Sequence, residues 1–108
     1  MSTLSASASD RGTSVFVTDR DVVDGTAAHI AAVHRALLAA ARRIATPGEP
    51  LQYQRTIYLP SQQRCLSFFE AIDTDLIRAI NDTAQLPDVQ ICEALEYSTR
   101  RLREGGRL

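Results

Sequence analysis

The chain has 108 residues, a formal net charge of −1, and 44% hydrophobic against 23% charged residues. That length suits one domain, and the composition is neither the apolar-poor mix of a disordered chain nor that of a membrane-spanning one. The near-zero charge excludes the long-range basic field that draws domains onto nucleic acid or anionic membranes, and because all 12 basic residues are Arg, lysine Schiff bases and phosphate-loop lysines are excluded as well.

Residues 1–13, rich in Ser and Ala, read as a disordered tail without the cationic start and apolar stretch of a secretory signal. Residues 14–19 (SVFVTD) are β-branched or aromatic and predict a first strand, with residues 20–25 as a loop. Asp24 or Thr26 is placed to cap a helix whose apolar positions Ile30, Val33, Leu37, Ala41 and Ile44 recur every three or four residues. Pro47-Gly48 stops it, and its longest apolar run, residues 36–41, is too short to cross a membrane before Arg42 and Arg43 interrupt it.

Residues 51–59 (LQYQRTIYL) alternate, with Leu51, Tyr53, Arg55, Ile57 and Leu59 on one face and Gln52, Gln54, Thr56 and Tyr58 on the other. Residues 60–63 form a polar turn into residues 64–71 (RCLSFFEA), so the two strands predict a hairpin. Its register sets Leu59 opposite Arg64, Ile57 opposite Leu66, Arg55 opposite Phe68 and Tyr53 opposite Glu70. Asp73 caps a second helix carrying Leu76, Ile77, Ile80 and Ala84, which ends before Pro87. Residues 89–97 (VQICEALEY) predict the last strand, and residues 98–108 an Arg-rich tail.

Strand, helix, strand, strand, helix, strand is the order of an α+β, ferredoxin-like βαββαβ domain, here residues 14–97. That topology gives a four-stranded antiparallel sheet with both helices on one face and the first strand between the third and fourth. Cys65 and Cys92 then lie two strand spacings apart, about 9 to 10 Å, too far for a bridge. Two free thiols without an export signal predict a soluble, cytoplasmic protein.

The other sheet face is left bare. Val15, Val17, Cys65 and Phe69 are assigned to the helix side, which sends Phe16, Leu51, Tyr53, Ile57, Leu59, Leu66 and Phe68 to the open side with Arg55 and Glu70 among them. A face this apolar predicts a cover. One expectation is a homodimer whose interface holds Phe16, Leu51, Ile57, Leu59, Leu66 and Phe68; another is a small molecule held by Tyr53, Arg55, Phe68 and Glu70. A one-residue slip in register would reverse the assignment.

Chemistry-bearing motifs are few. His29 and His34 are five residues apart, not the three or four that place two metal ligands on one helix face, so no metal or other cofactor is expected. His34 borders the apolar stripe as a core-edge residue, and Cys65 lacks a histidine to activate it. RNA recognition modules share this strand and helix order, and residues 64–71 resemble their third-strand signature. Leu66 in place of a stacking aromatic, Cys65 in place of glycine and the slightly acidic chain depart from it, so nucleic acid stays a third alternative.

Residues 55–94 resemble a small bacterial family of ferredoxin-like domains of unknown function whose described members include a nickel-binding dimer. The matching stretches are Arg64-Cys65-Leu66-Ser67 with Glu70-Ala71, and Leu86-Pro87-Asp88 leading into Ile91-Cys92-Glu93. The resemblance implies the fold and the dimer. The nickel site is not implied, because the stretches that hold its histidines read Thr18-Asp19-Arg20-Asp21 and Ala79-Ile80-Asn81-Asp82-Thr83-Ala84-Gln85 here. The leading expectation is a non-catalytic dimeric domain; its rival is a cofactor-independent isomerase or monooxygenase of the dimeric α+β barrel kind acting on an aromatic substrate.

Overall fold

Strand β1 (Ser14–Asp21) is followed by helix α1 (Ala27–Ile44), the hairpin strands β2 (Leu51–Leu59) and β3 (Arg64–Ala71), helix α2 (Thr74–Thr83) and strand β4 (Gln90–Ala94). This is a computed structural model that describes residues 13–97. The strands form one antiparallel sheet in the order β2-β3-β1-β4, with both helices on one face: the ferredoxin-like α+β architecture.

Thr26 caps α1 by accepting from the His29 amide at 3.1 Å, and Asp73 caps α2 by accepting from the Leu76 amide at 3.2 Å. The caps fix where each apolar stripe begins. Val33, Leu37, Ala40 and Ala41 of α1 and Ile77 and Ile80 of α2 bury against Phe16, Tyr53, Cys65, Phe69 and Ala71 of the sheet. Burying the larger of these side chains, such as Leu37, Ile77, Ile80 and Phe69, stabilises by about 1.5 to 3 kcal/mol each.

β1 runs two residues further than expected, through Arg20 and Asp21, because β3 pairs with it as far as Arg64. β4 is shorter than residues 89–97. Its ladder on β1 ends at Val15↔Ala94, and Leu95 and Tyr97 beyond it are exposed. Most of the two expected tails lies outside the described residues. Thr13 is an exception to the N-terminal one: it is buried and donates to a Glu70 carboxylate oxygen at 2.9 Å.

The β1–α1 loop is clamped by Tyr58. Its hydroxyl donates to the Val22 carbonyl at 2.8 Å and accepts from the Gly25 amide at 3.1 Å. A Cβ at Gly25 would stand 2.9 Å from Val22 and 3.0 Å from the Tyr58 ring, so this close approach requires glycine.

Candidate functional site

The open face differs from the expected one on two strands. In β1, Phe16, Thr18 and Arg20 point toward the helices, and Val15 and Val17, expected inside, lie on the open side. Phe16 is 5% exposed and belongs to the core. The reason is size: one register buries the large aromatic, and Thr18 and Arg20 must follow it inward.

In β2 the alternation breaks. Leu59↔Arg64, Ile57↔Leu66 and Arg55↔Phe68 pair as expected, but Tyr53 pairs with Phe69 and Gln52 with Glu70. The intervening residue, Gln54, has no partner: a β-bulge. The extra residue reverses the face of everything before it. Leu51 and Tyr53, expected on the open side, therefore join the helix side, where Leu51 packs against the core and Tyr53 is 9% exposed.

The open face therefore carries Val15 and Val17 from β1, Ile57 and Leu59 from β2, and Leu66 and Phe68 from β3. Charges lie among and around them. The Arg55 guanidinium stacks 4.6 Å from the centre of the Phe68 ring. Glu70 accepts from Thr13 and makes no ion pair with Arg55. Arg64 bridges Asp19, at 2.9 Å, and Asp21; the hydrogen bond to Asp19 holds its pKa above the ordinary arginine value. A broad cleft of about 350 Å³ opens beside this cluster, between the end of β1 and residues 88–90.

The helix side holds a polar chain that the sequence pattern did not reveal. His34 Nδ1 lies 2.7 Å from the Tyr53 hydroxyl, which bonds Thr56 Oγ1, which lies 2.7 Å from Ser67 Oγ. Burial raises the Tyr53 pKa, against the opposing effect of its hydrogen bond with Thr56. Beside this chain Arg20, the cross-strand partner of Cys65, donates to Asn81 Oδ1 and, at 3.4 Å, to the Leu86 carbonyl. Its charge is thereby set just past the last turn of α2, where the helix dipole favours a cation. Burial lowers the Arg20 pKa and raises that of Cys65. The signal for the chain was the run of polar inward positions Thr18, Thr56 and Ser67, which lie side by side across three strands.

Of the four candidate ligand residues, the fold brings together Arg55, Phe68 and Glu70 and separates Tyr53 from them by the thickness of the sheet. Tyr53, Arg55 and Glu70, the residues an enzyme of the rival kind would use, therefore do not share one face. Among the aromatics of β1 and β3, Phe16 and Phe69 are in the core and Phe68 alone faces outward, so a base-stacking platform is not assembled either. Cys65 faces the helices and Cys92, opposite Val17, the open side. Among the described residues no group of three His, Cys, Asp or Glu side chains is placed to hold a metal ion, and no helix is long and apolar enough to cross a membrane. Compared with known protein families, characterised proteins and solved structures, the chain matches none.

Proposed function

We propose that this chain is a non-catalytic ferredoxin-like module of the cytoplasm that works as a homodimer, a second copy covering its open sheet face and a small molecule held between the sheets near Arg55, Phe68 and Glu70. One observation carries the reading: Val15, Val17, Ile57, Leu59, Leu66 and Phe68 are contiguous on a face that no helix of the described residues covers, and Ile57 is 37% exposed. Water tolerates such a patch poorly.

A second copy is favoured as the cover by the charges. Arg55 and Arg64 share the face with Asp19, Asp21 and Glu70, so it carries both signs, as a two-fold interface needs if each copy is to meet its own image. Arg55 stacks on an aromatic and has no carboxylate partner among the described residues, so a cover that takes it out of water must supply an anion. The partner's copy of the same face supplies one, and so does an acidic ligand. The reading keeps the scaffold and the pairing that the family resemblance implies and leaves nickel out.

Sedimentation velocity over a range of micromolar concentrations tests it. A dimer that dissociates only on dilution is the expected result, with any retained small molecule visible as added mass on the native dimer by mass spectrometry. A monomer throughout that range overturns the proposal.

A further inference from the structure

The charges of the open face fall into a closed set and an open one. Arg64 holds Asp19 at 2.9 Å and Asp21 as well, so those three neutralise one another within a single chain. Arg55 and Glu70 are left over, one cation and one anion, and neither has an ionic partner among the described residues. Distance does not explain this. Arg55 stands opposite Phe68 and Glu70 is two residues further along the same strand, a diagonal of about 7 to 8 Å that long side chains can cross. Each is instead held in its own place: the guanidinium lies over the Phe68 ring, and Thr13 donates to the Glu70 carboxylate.

A two-fold interface buries the same patch twice, and a contact of one residue with a second is repeated with the roles exchanged. Covering this face takes both leftover charges out of water, which is costly unless each meets a counter-charge. Facing sheets lie about 10 Å apart, a gap that an arginine and a glutamate reaching from opposite sides close between them. For the partner subunit's Glu70 to stand over Arg55, the axis must lie in the interface and cross the diagonal between Arg55 and Glu70 at its midpoint, at right angles. Such an axis runs obliquely over β3 and β1 and passes beside Phe68 and Val17, which are cross-strand partners. Both apolar side chains then meet their own images, and the strands of the two sheets cross steeply, one of the two usual modes of sheet packing. One axis thus serves the charges and the apolar centre together.

We propose that each copy's Arg55 pairs with the partner subunit's Glu70, giving two equivalent salt bridges on either side of an axis beside Phe68 and Val17. The inference rests on the sheet-to-sheet dimer proposed above and goes further by naming the charges that meet. The partner, rather than an acidic ligand, supplies the anion at Arg55.

Charge reversal in two separate chains tests it by sedimentation velocity. Arg55→Glu sets carboxylate against carboxylate and Glu70→Arg sets guanidinium against guanidinium, so each variant alone should have a dimer dissociation constant raised roughly tenfold or more. Mixed in equal amounts, the two variants restore both pairs, and a heterodimer of near wild-type affinity is expected. Pairing within one chain would give no such rescue, because every chain in the mixture would keep its own like-charged pair. The double variant Arg55→Glu with Glu70→Arg covers the case of a single variant that fails to fold: it should dimerise with itself and refuse the wild-type chain. A wild-type dimer whose affinity the reversals leave unchanged, or which neither mixing nor the double variant restores, overturns the pairing and leaves the dimer standing. A wild-type monomer overturns both.

Discussion

His34 on α1 and Tyr53 on β2 are joined through Nδ1 and the phenolic hydroxyl at 2.7 Å, with their rings 5.3 Å apart. The contact ties a helix to a strand by a polar bond at one end of the buried polar chain, and it exists because Tyr53 faces inward. Tyr53→Phe keeps the ring against Phe69, 5.2 Å away, and deletes the link shared by His34 and Thr56. The expected loss is about 1 to 2 kcal/mol, from one bond removed and partners left short, read as a lower urea midpoint at unchanged m-value.

Arg20 and Asn81 form the second internal tie. Asn81 is 1% exposed, accepts from Arg20 and donates to the Ile77 carbonyl at 2.8 Å, so it holds both the guanidinium and the last turn of α2. Asn81→Ala leaves a buried cation short of an acceptor and is expected to cost about 3 kcal/mol. The double variant Arg20→Met with Asn81→Ala removes charge and acceptor together and is expected to recover much of that loss. A double-mutant cycle from thermal or urea melts measures the coupling, and additive losses would contradict the tie.

On the open face Phe68 is the central aromatic, bearing Arg55 on its ring and flanked across the strands by Val17. Phe68→Glu places a charge at the centre of the proposed dimer contact without touching the helix side. The circular dichroism spectrum should stay that of the folded chain. The dimer dissociation constant should rise roughly thirtyfold or more, the equivalent of about 2 kcal/mol at an interface hot spot, as read by sedimentation.

Gln54 decides which face β2 presents, and it shows where the sequence stopped being readable. The bounds of β2 and β3, both caps and the strand order follow from local signals: alternation, Thr26, Asp73 and the polar turn at residues 60–63. The bulge leaves no such mark, because LQYQRTIYL alternates without a break and only pairing with β3 exposes the extra residue. β1 is ambiguous for a different reason. Val15, Phe16 and Val17 are all apolar, so either face qualifies by pattern, and the choice falls to burial of the largest of the three, with Arg20 carried inward to partners far along the chain. Arg55, Ile57, Leu59, Leu66, Phe68 and Glu70 were therefore legible through the hairpin, whereas Leu51 and Tyr53 were misplaced by the bulge and Phe16 by the ambiguity of β1. Deleting Gln54 joins the Tyr53↔Phe69 and Arg55↔Phe68 pairs into one unbroken ladder, so Leu51 and Tyr53 should stay inward and the urea midpoint should hold or rise; a loss of about 3 kcal/mol, the size expected if both side chains turned outward, would contradict the bulge.

Burial raises the pKa of both Cys65 and Tyr53, and this fixes the sign of the alkaline response. A group whose pKa is higher folded than unfolded keeps its proton longer in the native state. Between the two pKa values the native state then binds more protons than the unfolded one, so stability falls as pH rises. The Cys65 contribution is complete below the ordinary thiol range, about 8.5, and is lost as pH climbs through the folded value; Tyr53 repeats the pattern starting from about 10. Urea midpoints should accordingly be flat with respect to these two groups near neutrality and decline above about pH 8.5. Cys65→Ala should delay the onset of the decline, and Tyr53→Phe should flatten its upper part, each at the cost of lower stability near neutral pH. Profiles unchanged in shape by both substitutions would mean that neither group carries the alkaline transition.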